Sequence, residues 1–292
     1  MQRTNYLPGL NSIRLYAALS VVIHHVVSFS GDYHFTANLD HITSFVVLSG
    51  AQAVTLFFVL SGFLITTILL REKQQTHTIE VKRFYVRRAA RILPLYFLII
   101  ALTLVTPALS KPDTIGLVSL LILSPHVTIL IGGWMGAARH LWSTGVEEWF
   151  YFTLPPLLKR IHVVVLAWSV ILIMFVLALL NPDALAGVEP STPMVEFLKS
   201  IRFESMAIGA LGAWMYVTNH WLLRVVYTLE VPTLLLMVFF VVIDIPQMFI
   251  GNFVFSWVCI VFILNAATNP KRRVNFEHPT LSGYPENRVD LP

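Results

Sequence analysis

Charged residues are scarce in this chain, and their scarcity decides which solvent it can fold in. Only 12% of its 292 residues are charged, about half of the share found in an ordinary soluble domain. Hydrophobic residues make up 56%, and the mean hydropathy is +0.72. Because so few charges cannot cover so large an apolar core, the composition excludes a soluble globular domain and predicts a lipid environment.

Cysteine is nearly absent as well. Cys259 is the one cysteine in the sequence, which excludes a disulfide within the chain and a zinc site built from cysteines. We expect no metal. The chain has 20 Lys and Arg against 16 Asp and Glu, but the basic residues cluster between apolar runs and not along a soluble face. This distribution excludes nucleic-acid binding and indicates membrane topology.

Eight apolar stretches have the length that crosses a membrane. They predict an all-α fold, a polytopic transmembrane bundle of about eight spans. A ninth apolar piece, 115–131, is interrupted by Ser124, Pro125 and His126, so it is either a broken span or a re-entrant segment. The eight stretches are 12–29, 47–70, 92–109, 143–158, 161–180, 200–217, 222–243 and 248–266.

The distribution of lysine and arginine predicts the orientation. If the N-terminus is cytoplasmic and 115–131 does not cross, all but four of the 20 basic residues lie on the cytoplasmic side. If 115–131 crosses, that asymmetry collapses, so the pattern favours the re-entrant alternative. We expect residues 1–266 to form a single membrane domain and residues 267–292 a polar, disordered cytoplasmic tail. The four outer residues are Lys111, Arg139, Lys199 and Arg202.

The first predicted span carries Arg14, His24 and His25, and ionisable residues at membrane depth are candidates for function. Arg14 and His25 are eleven residues apart, so on a helix they share a face and lie about 16 Å apart along the axis. His24 points about 100° away. The alternative is that Arg14 anchors the span at the membrane surface and His25 is a hydrogen-bonded packing residue.

A basic cluster precedes the third predicted span. Arg88 and Arg91 are three residues apart on one helical face, and Arg91 adjoins the apolar run. A charge that only sets topology gains nothing from such depth. Because guanidinium groups bind phosphate in a fork geometry, the pair suits a polyanionic phosphate ligand. The alternative is flanking charge that follows the positive-inside rule.

Carboxylates form two further groups. Glu147 and Glu148 open the fourth predicted span, where acidic residues can simply stabilise a helix N-terminus. The sharper hypothesis is that one of them orients or charges a histidine. Arg202 and Glu204 begin a later span and form either a local ion pair or part of the same cavity.

Four segments carry these residues in order along the chain. They are an arginine, ten residues and a histidine from Arg14 to His25; Ser-Gly-Phe at 61–63; Arg-x-x-Arg at 88–91, followed by Ile-Leu-Pro; and Ser-Thr-Gly-Val-Glu-Glu-Trp-Phe-Tyr at 143–151. Together they resemble the motifs of the acyltransferase 3 family of integral-membrane acyltransferases, which modify cell-envelope glycans.

The resemblance implies an enzyme of the bacterial inner membrane that moves an acyl group, usually acetyl, from cytoplasmic acyl-CoA to a hydroxyl of an envelope carbohydrate or lipid-linked glycan, with membrane lipids around it. Arg14, Arg88 and Arg91 would hold the CoA phosphates. His25 would act as general base beside a stabilising carboxylate, or would itself accept the acyl group. The catalytic carboxylates would be Glu147 and Glu148, and the candidate cavity-lining residues are Ser61, Gly62, Tyr151, Arg202 and Glu204.

Two other interpretations stay open. Intramembrane charges and a broken apolar segment also suit a transporter or flippase of an envelope precursor or small anion, although we find no inverted repeat to support it. Proteins of the family typically end in a helix rich in serine and tyrosine that is not found here. We therefore expect a chain shortened relative to the family, which leaves an inactive member open. Thr144-Gly145 and Trp149 also replace the usual Leu-Ser and Gln.

Overall fold

Every regular element in the described part of the chain is a helix. The computed structural model describes residue 7 and residues 9–29, 48–181, 192–242 and 249–272. No strand occurs among these residues, so the all-α prediction is confirmed for them. The helices are α1 (Leu10–Phe29), α2 (Gly50–Thr76), α3 (Val81–Val105), α4 (Thr114–Leu121), a 3-10 helix (Pro125–Val127), α5 (Thr128–Ile131), a second 3-10 helix (Gly136–Leu141), α6 (Trp142–Arg160), α7 (Val163–Leu179), α8 (Pro193–Ile201), α9 (Phe203–Val217), α10 (Leu222–Thr228), α11 (Glu230–Val242) and α12 (Phe249–Thr268).

Helix α2 lies at the centre of the described bundle. It begins at a capping box, in which the Ser49 hydroxyl accepts a hydrogen bond from the Gln52 amide (3.3 Å) and the Gln52 side chain accepts one from the Ser49 amide (3.1 Å). Its 27 residues give a length of about 40 Å. Because α1, α9 and α12 pack against it, about half of its residues are buried.

Helices α2 and α9 pack backbone against backbone. A Cβ atom on Gly62 would overlap the carbonyl group of Met206, and a Cβ atom on Gly209 would overlap the carbonyl group of Val59. Small residues permit this close approach, which is common between helices in membranes. Gly62 therefore lies in a helix interface and not at a cavity, contrary to the expectation from the sequence.

The segment that follows α3 returns to the place where it starts. The Ala137 amide donates to the carbonyl of Ser110 (2.9 Å). The Asp113 amide donates to the carbonyl of Trp134 (2.9 Å), and the Trp134 amide donates back to the Asp113 carboxylate (3.0 Å). Backbone N–H donors hold the pKa of this carboxyl below its usual range. With both ends joined and an α4 of only eight residues, about 12 Å long, the segment 115–131 starts and ends at the same place in the fold, which favours the re-entrant alternative.

Among the described residues, fewer helices meet the length and hydropathy expected of a membrane span than the sequence predicts. Among the described residues, α2, α3 and α12 are long and apolar enough to cross a membrane, and α10 with α11 makes a fourth if this pair, bent by 63°, is one span. The count of about eight spans is not confirmed, although the remaining predicted stretches contain α1, α6, α7 and α9. Of the predicted tail, residues 273–292 lie outside the described part of the chain.

We expect Gly62→Val to destabilise the protein strongly. The added side chain would meet a backbone carbonyl, which cannot move away as a flexible side chain can, so α2 and α9 must separate at a cost of about 3 kcal/mol. Thermal unfolding of the purified protein in detergent measures the effect. Ala101→Val, on the exposed face of α3, is the control; equal melting temperatures for the two variants would contradict the backbone contact.

The re-entrant path predicts that both of its ends face the same side of the membrane. In a Cys259→Ala background, a maleimide that cannot cross membranes should label Thr114→Cys and Arg139→Cys equally in intact cells. The three positions to be labelled, Thr114, Arg139 and Arg160, are exposed. Arg160→Cys, at the far end of α6, should react only after the cells are permeabilised. Labelling of Thr114→Cys and Arg139→Cys from opposite sides would show that the segment crosses.

Candidate functional site

The carboxylate of Glu147 is fixed by two hydroxyl groups. The Ser61 hydroxyl on α2 donates to Oε1 of Glu147 (2.9 Å), and the Tyr151 hydroxyl donates to Oε2 (3.2 Å). Tyr151 lies one turn after Glu147 on α6, so both side chains point from the same face. The carboxylate therefore joins α6 to α2, with one hydrogen bond on each oxygen.

Arginines from two other helices surround this carboxylate. The guanidinium of Arg88, on α3, lies over the ring of Tyr151, 3.9 Å from the ring centroid, in a cation–π contact. Arg14, on α1, interacts electrostatically with Glu147, Tyr151, Arg88 and Arg91. The structure thus brings together residues from all four sequence motifs.

The three guanidinium groups are not neutralised by direct contact. No carboxylate of the described residues lies within 4.0 Å of Arg14, Arg88 or Arg91. The Nε atom of Arg88 is buried and has no hydrogen-bond partner in the same part of the chain. Since guanidinium groups are rarely left without acceptors, this cluster is a candidate anion-binding site, which we call the arginine cluster.

Glu148 is placed differently from its neighbour. It points about 100° away from Glu147 around α6 and interacts electrostatically with Arg88 and Tyr96. Its Oε1 atom is buried and has no hydrogen-bond partner among the described residues. Glu148 therefore contributes negative charge near the arginine cluster but is not held in place as Glu147 is.

His25 is in the tautomer that a general base requires. Its Nδ1 lies 2.8 Å from the carbonyl oxygen of Val21, and because a carbonyl only accepts, Nδ1 must carry the proton. In the neutral ring Nε2 then carries no proton and is the atom that can accept one. The ring is exposed, meets His24 edge to face with centroids 5.9 Å apart, and interacts electrostatically with His140.

The imidazole and the carboxylates lie at different depths. Along α1, His25 is about 16 Å beyond Arg14, and Glu147 interacts with Arg14. On α2, His24 packs against Gly50, eleven residues before the serine that binds Glu147, which gives the same separation. By helix rise Glu147 is therefore level with the arginine cluster and not with the imidazole, whereas the sequence predicts a carboxylate beside the imidazole.

A comparison with protein families decides which family these motifs belong to. The model of the Acyl_transf_3 family, described as an acyltransferase domain, matches residues 7–282. The chain belongs to this family. It is an integral membrane protein, and the resemblance drawn from the four motifs is confirmed.

Two curated relatives of this chain are proteins of Staphylococcus aureus. "O-acetyltransferase OatA" of strain NCTC 8325 is 23% identical over 297 residues, which covers 92% of this chain and 46% of the relative. "Putative O-acetyltransferase SACOL0978" of strain COL is 26% identical over 237 residues, which covers 74% of this chain and 36% of the relative. The chain thus spans less than half the length of these relatives. No solved structure matches it.

Arg202, one of the predicted cavity-lining residues, makes its hydrogen bonds away from the arginine cluster. Arg202 stands between α8 and α9 in the left-handed conformation (φ 40°) and is 4% exposed. Its Nη1 donates to the carbonyl of Ala51 and to the hydroxyl of Thr55, both at 2.7 Å. No hydrogen bond or ion pair among the described residues joins it to Glu204. Arg202 instead links the junction of α8 and α9 to α2 by hydrogen bonds.

His126 is a buried histidine for which the sequence predicts no role. His126, in the first 3-10 helix, is 1% exposed, and its Nδ1 has no partner among the described residues. Its ring meets Trp149 edge to face with centroids 5.0 Å apart and stacks on Phe197 at 6.2 Å. Gly145 leaves room for it, since a Cβ there would lie 2.9 Å from Nδ1. The signal in the sequence was a histidine that interrupts an apolar segment.

Arg202→Met should lower the free energy of unfolding of the protein. The substitution removes charged hydrogen bonds to α2 while keeping the aliphatic bulk, with an expected loss of about 3 kcal/mol. The melting temperature in detergent measures this loss. Arg224→Met, at an exposed position of α10, should leave the melting temperature unchanged. An unchanged melting temperature for Arg202→Met would contradict the structural role of this arginine.

Proposed function

We propose that this acyltransferase moves an acetyl group from acetyl-CoA to a hydroxyl of an envelope carbohydrate. The observation that carries the proposal is the arginine cluster, in which three guanidinium groups have no carboxylate within 4.0 Å among the described residues. The names of the relatives support the acetyl group and the oxygen acceptor.

The arginine cluster suits the nucleotide end of the donor. CoA carries several phosphates, and guanidinium groups bind phosphate by paired, charge-assisted hydrogen bonds. The pantetheine arm is long and thin, so it can extend along α1 from Arg14 toward His25, which lies about 16 Å away by helix rise. One donor molecule would then join the two groups that the structure places at different depths.

The chemistry proposed at the far end is a direct transfer. Nε2 of His25 accepts the proton of the acceptor hydroxyl, the hydroxyl oxygen bonds to the thioester carbonyl carbon, and the carbon–sulfur bond breaks. CoA leaves as the thiolate, and the imidazolium proton passes to it or to water. The tautomer fixed by Val21 supports this role, because the atom that accepts the proton is unprotonated in the neutral ring.

The proposed orientation places the donor on the cytoplasmic side of a bacterial inner membrane. The Thr76 end of α2 and the start of α3 carry Arg71, Lys73, Lys82 and Arg83, and basic residues concentrate on the cytoplasmic side. His25 lies toward the opposite end of the bundle. The acceptor carbohydrate, assembled for the envelope, would approach the imidazole from there, with its sugar hydroxyl entering beside α1.

We expect His25→Ala to lower acetyl transfer by about 10²-fold or more, which is the contribution of a general base. His24→Ala, whose ring packs on α2, should lower it far less. Membranes that contain each variant are incubated with radiolabelled acetyl-CoA, and label in glycan or lipid is counted. The amount of inserted protein is the control.

Other outcomes of this assay would overturn the proposal. Equal losses from both variants would show that His25 is structural. Movement of unmodified glycan across the membrane, with no label incorporated by the wild type, would support a transporter. Label that stays on wild-type protein and is absent from His25→Ala would replace direct transfer by an acyl-histidine intermediate.

A further inference from the structure

We propose that Ser61 and Tyr151 are positioning residues that hold Glu147 away from the arginines and so keep the arginine cluster open for an anionic donor. This inference rests on the proposed function, because it names how the donor site is kept free. It concerns two hydroxyl groups that touch neither the acetyl group nor the acceptor in the proposed reaction.

Tyr151 contacts both the cation of Arg88 and the carboxylate of Glu147. Its ring lies under the Arg88 guanidinium, 3.9 Å from ring centroid to the central carbon, while its hydroxyl donates to Glu147 (3.2 Å). The residue is 3% exposed, so it cannot swing away without repacking α6. Ser61 donates to the other carboxylate oxygen (2.9 Å). Both oxygens of Glu147 are therefore bound to neutral hydroxyls.

Without these hydroxyls the carboxylate has another partner close by. Glu147 interacts electrostatically with Arg88 and Arg14, and Nε of Arg88 is buried with no hydrogen-bond partner among the described residues. Opposite charges attract strongly in apolar surroundings, and a carboxylate fits the guanidinium fork as a phosphate does. A released Glu147 would therefore occupy the fork and compete with the donor.

The test is direct binding of CoA to the full-length protein in detergent. Tyr151→Phe keeps the ring under Arg88 but releases one oxygen of Glu147, so we expect the Kd for CoA to rise about tenfold, the equivalent of one charged hydrogen bond. Ser61→Ala should act in the same direction. In turnover assays the KM for acetyl-CoA should rise more than kcat falls.

Rescue distinguishes this role from a merely structural one. Glu147→Gln combined with Tyr151→Phe should bind CoA at least as tightly as the wild type, because a neutral amide does not compete for the arginines. Tyr85→Phe is the matched control: Tyr85 also joins α3 to α6, by donating to the carbonyl of Phe152, and its loss should leave CoA binding unchanged.

Three outcomes would overturn the inference, and they differ in what else they overturn. If the wild type binds CoA and Tyr151→Phe binds it equally well, the positioning role fails and the proposed function stands. If binding is lost and Glu147→Gln does not restore it, Tyr151 is structural. If the wild type does not bind CoA, the donor site itself fails, and the positioning role fails with it.

Discussion

The site depends on a partly buried carboxylate, Glu147, that lies among guanidinium groups without direct contact with them. A single charge in an apolar bundle is costly, and charges of both signs brought together lower that cost. Here Glu147 faces Arg14 and Arg88 from other helices, and its oxygens are bound by hydroxyl groups instead. The carboxylate thus offsets part of the positive charge while leaving the guanidinium groups free to bind an anion.

This arrangement requires helices that cannot shift along one another. Helix α2 provides the frame, since Ser61 on one face binds Glu147 and Thr55 on another face accepts from Arg202. Directly after Ser61, Gly62 packs against the backbone of Met206 on α9. Sites on rigid elements hold their geometry better than sites on loops. The close packing of α2 against α9 therefore helps to fix the geometry of the site.

The sequence predicts what lies within one helix and fails where two helices must be aligned. The spacing of Arg14 and His25 holds, because α1 is helical from residue 10 to residue 29 and helix rise fixes their separation. The depth of Glu147 could not be predicted, since it depends on how α6 is placed against α2, which periodicity does not report. The packing of Gly62 against α9 could not be predicted for the same reason. Hydropathy marks apolar stretches, not their length as helices: α9 has 15 residues, about 22 Å, which is short of a membrane core.

Two unlike groups at two depths favour a reaction over transport. A carrier must present one binding site to each side in turn, and its charged groups gather around that site. In this family member the cations lie at one level, and the imidazole lies about 16 Å away on the same face of α1. One rigid helix, α1, carries Arg14 and His25, so their separation cannot change as a carrier alternates. A fixed separation between the arginine cluster and the imidazole suits the donor proposed above, whose phosphates would be bound at one end while its thioester reacts at the other.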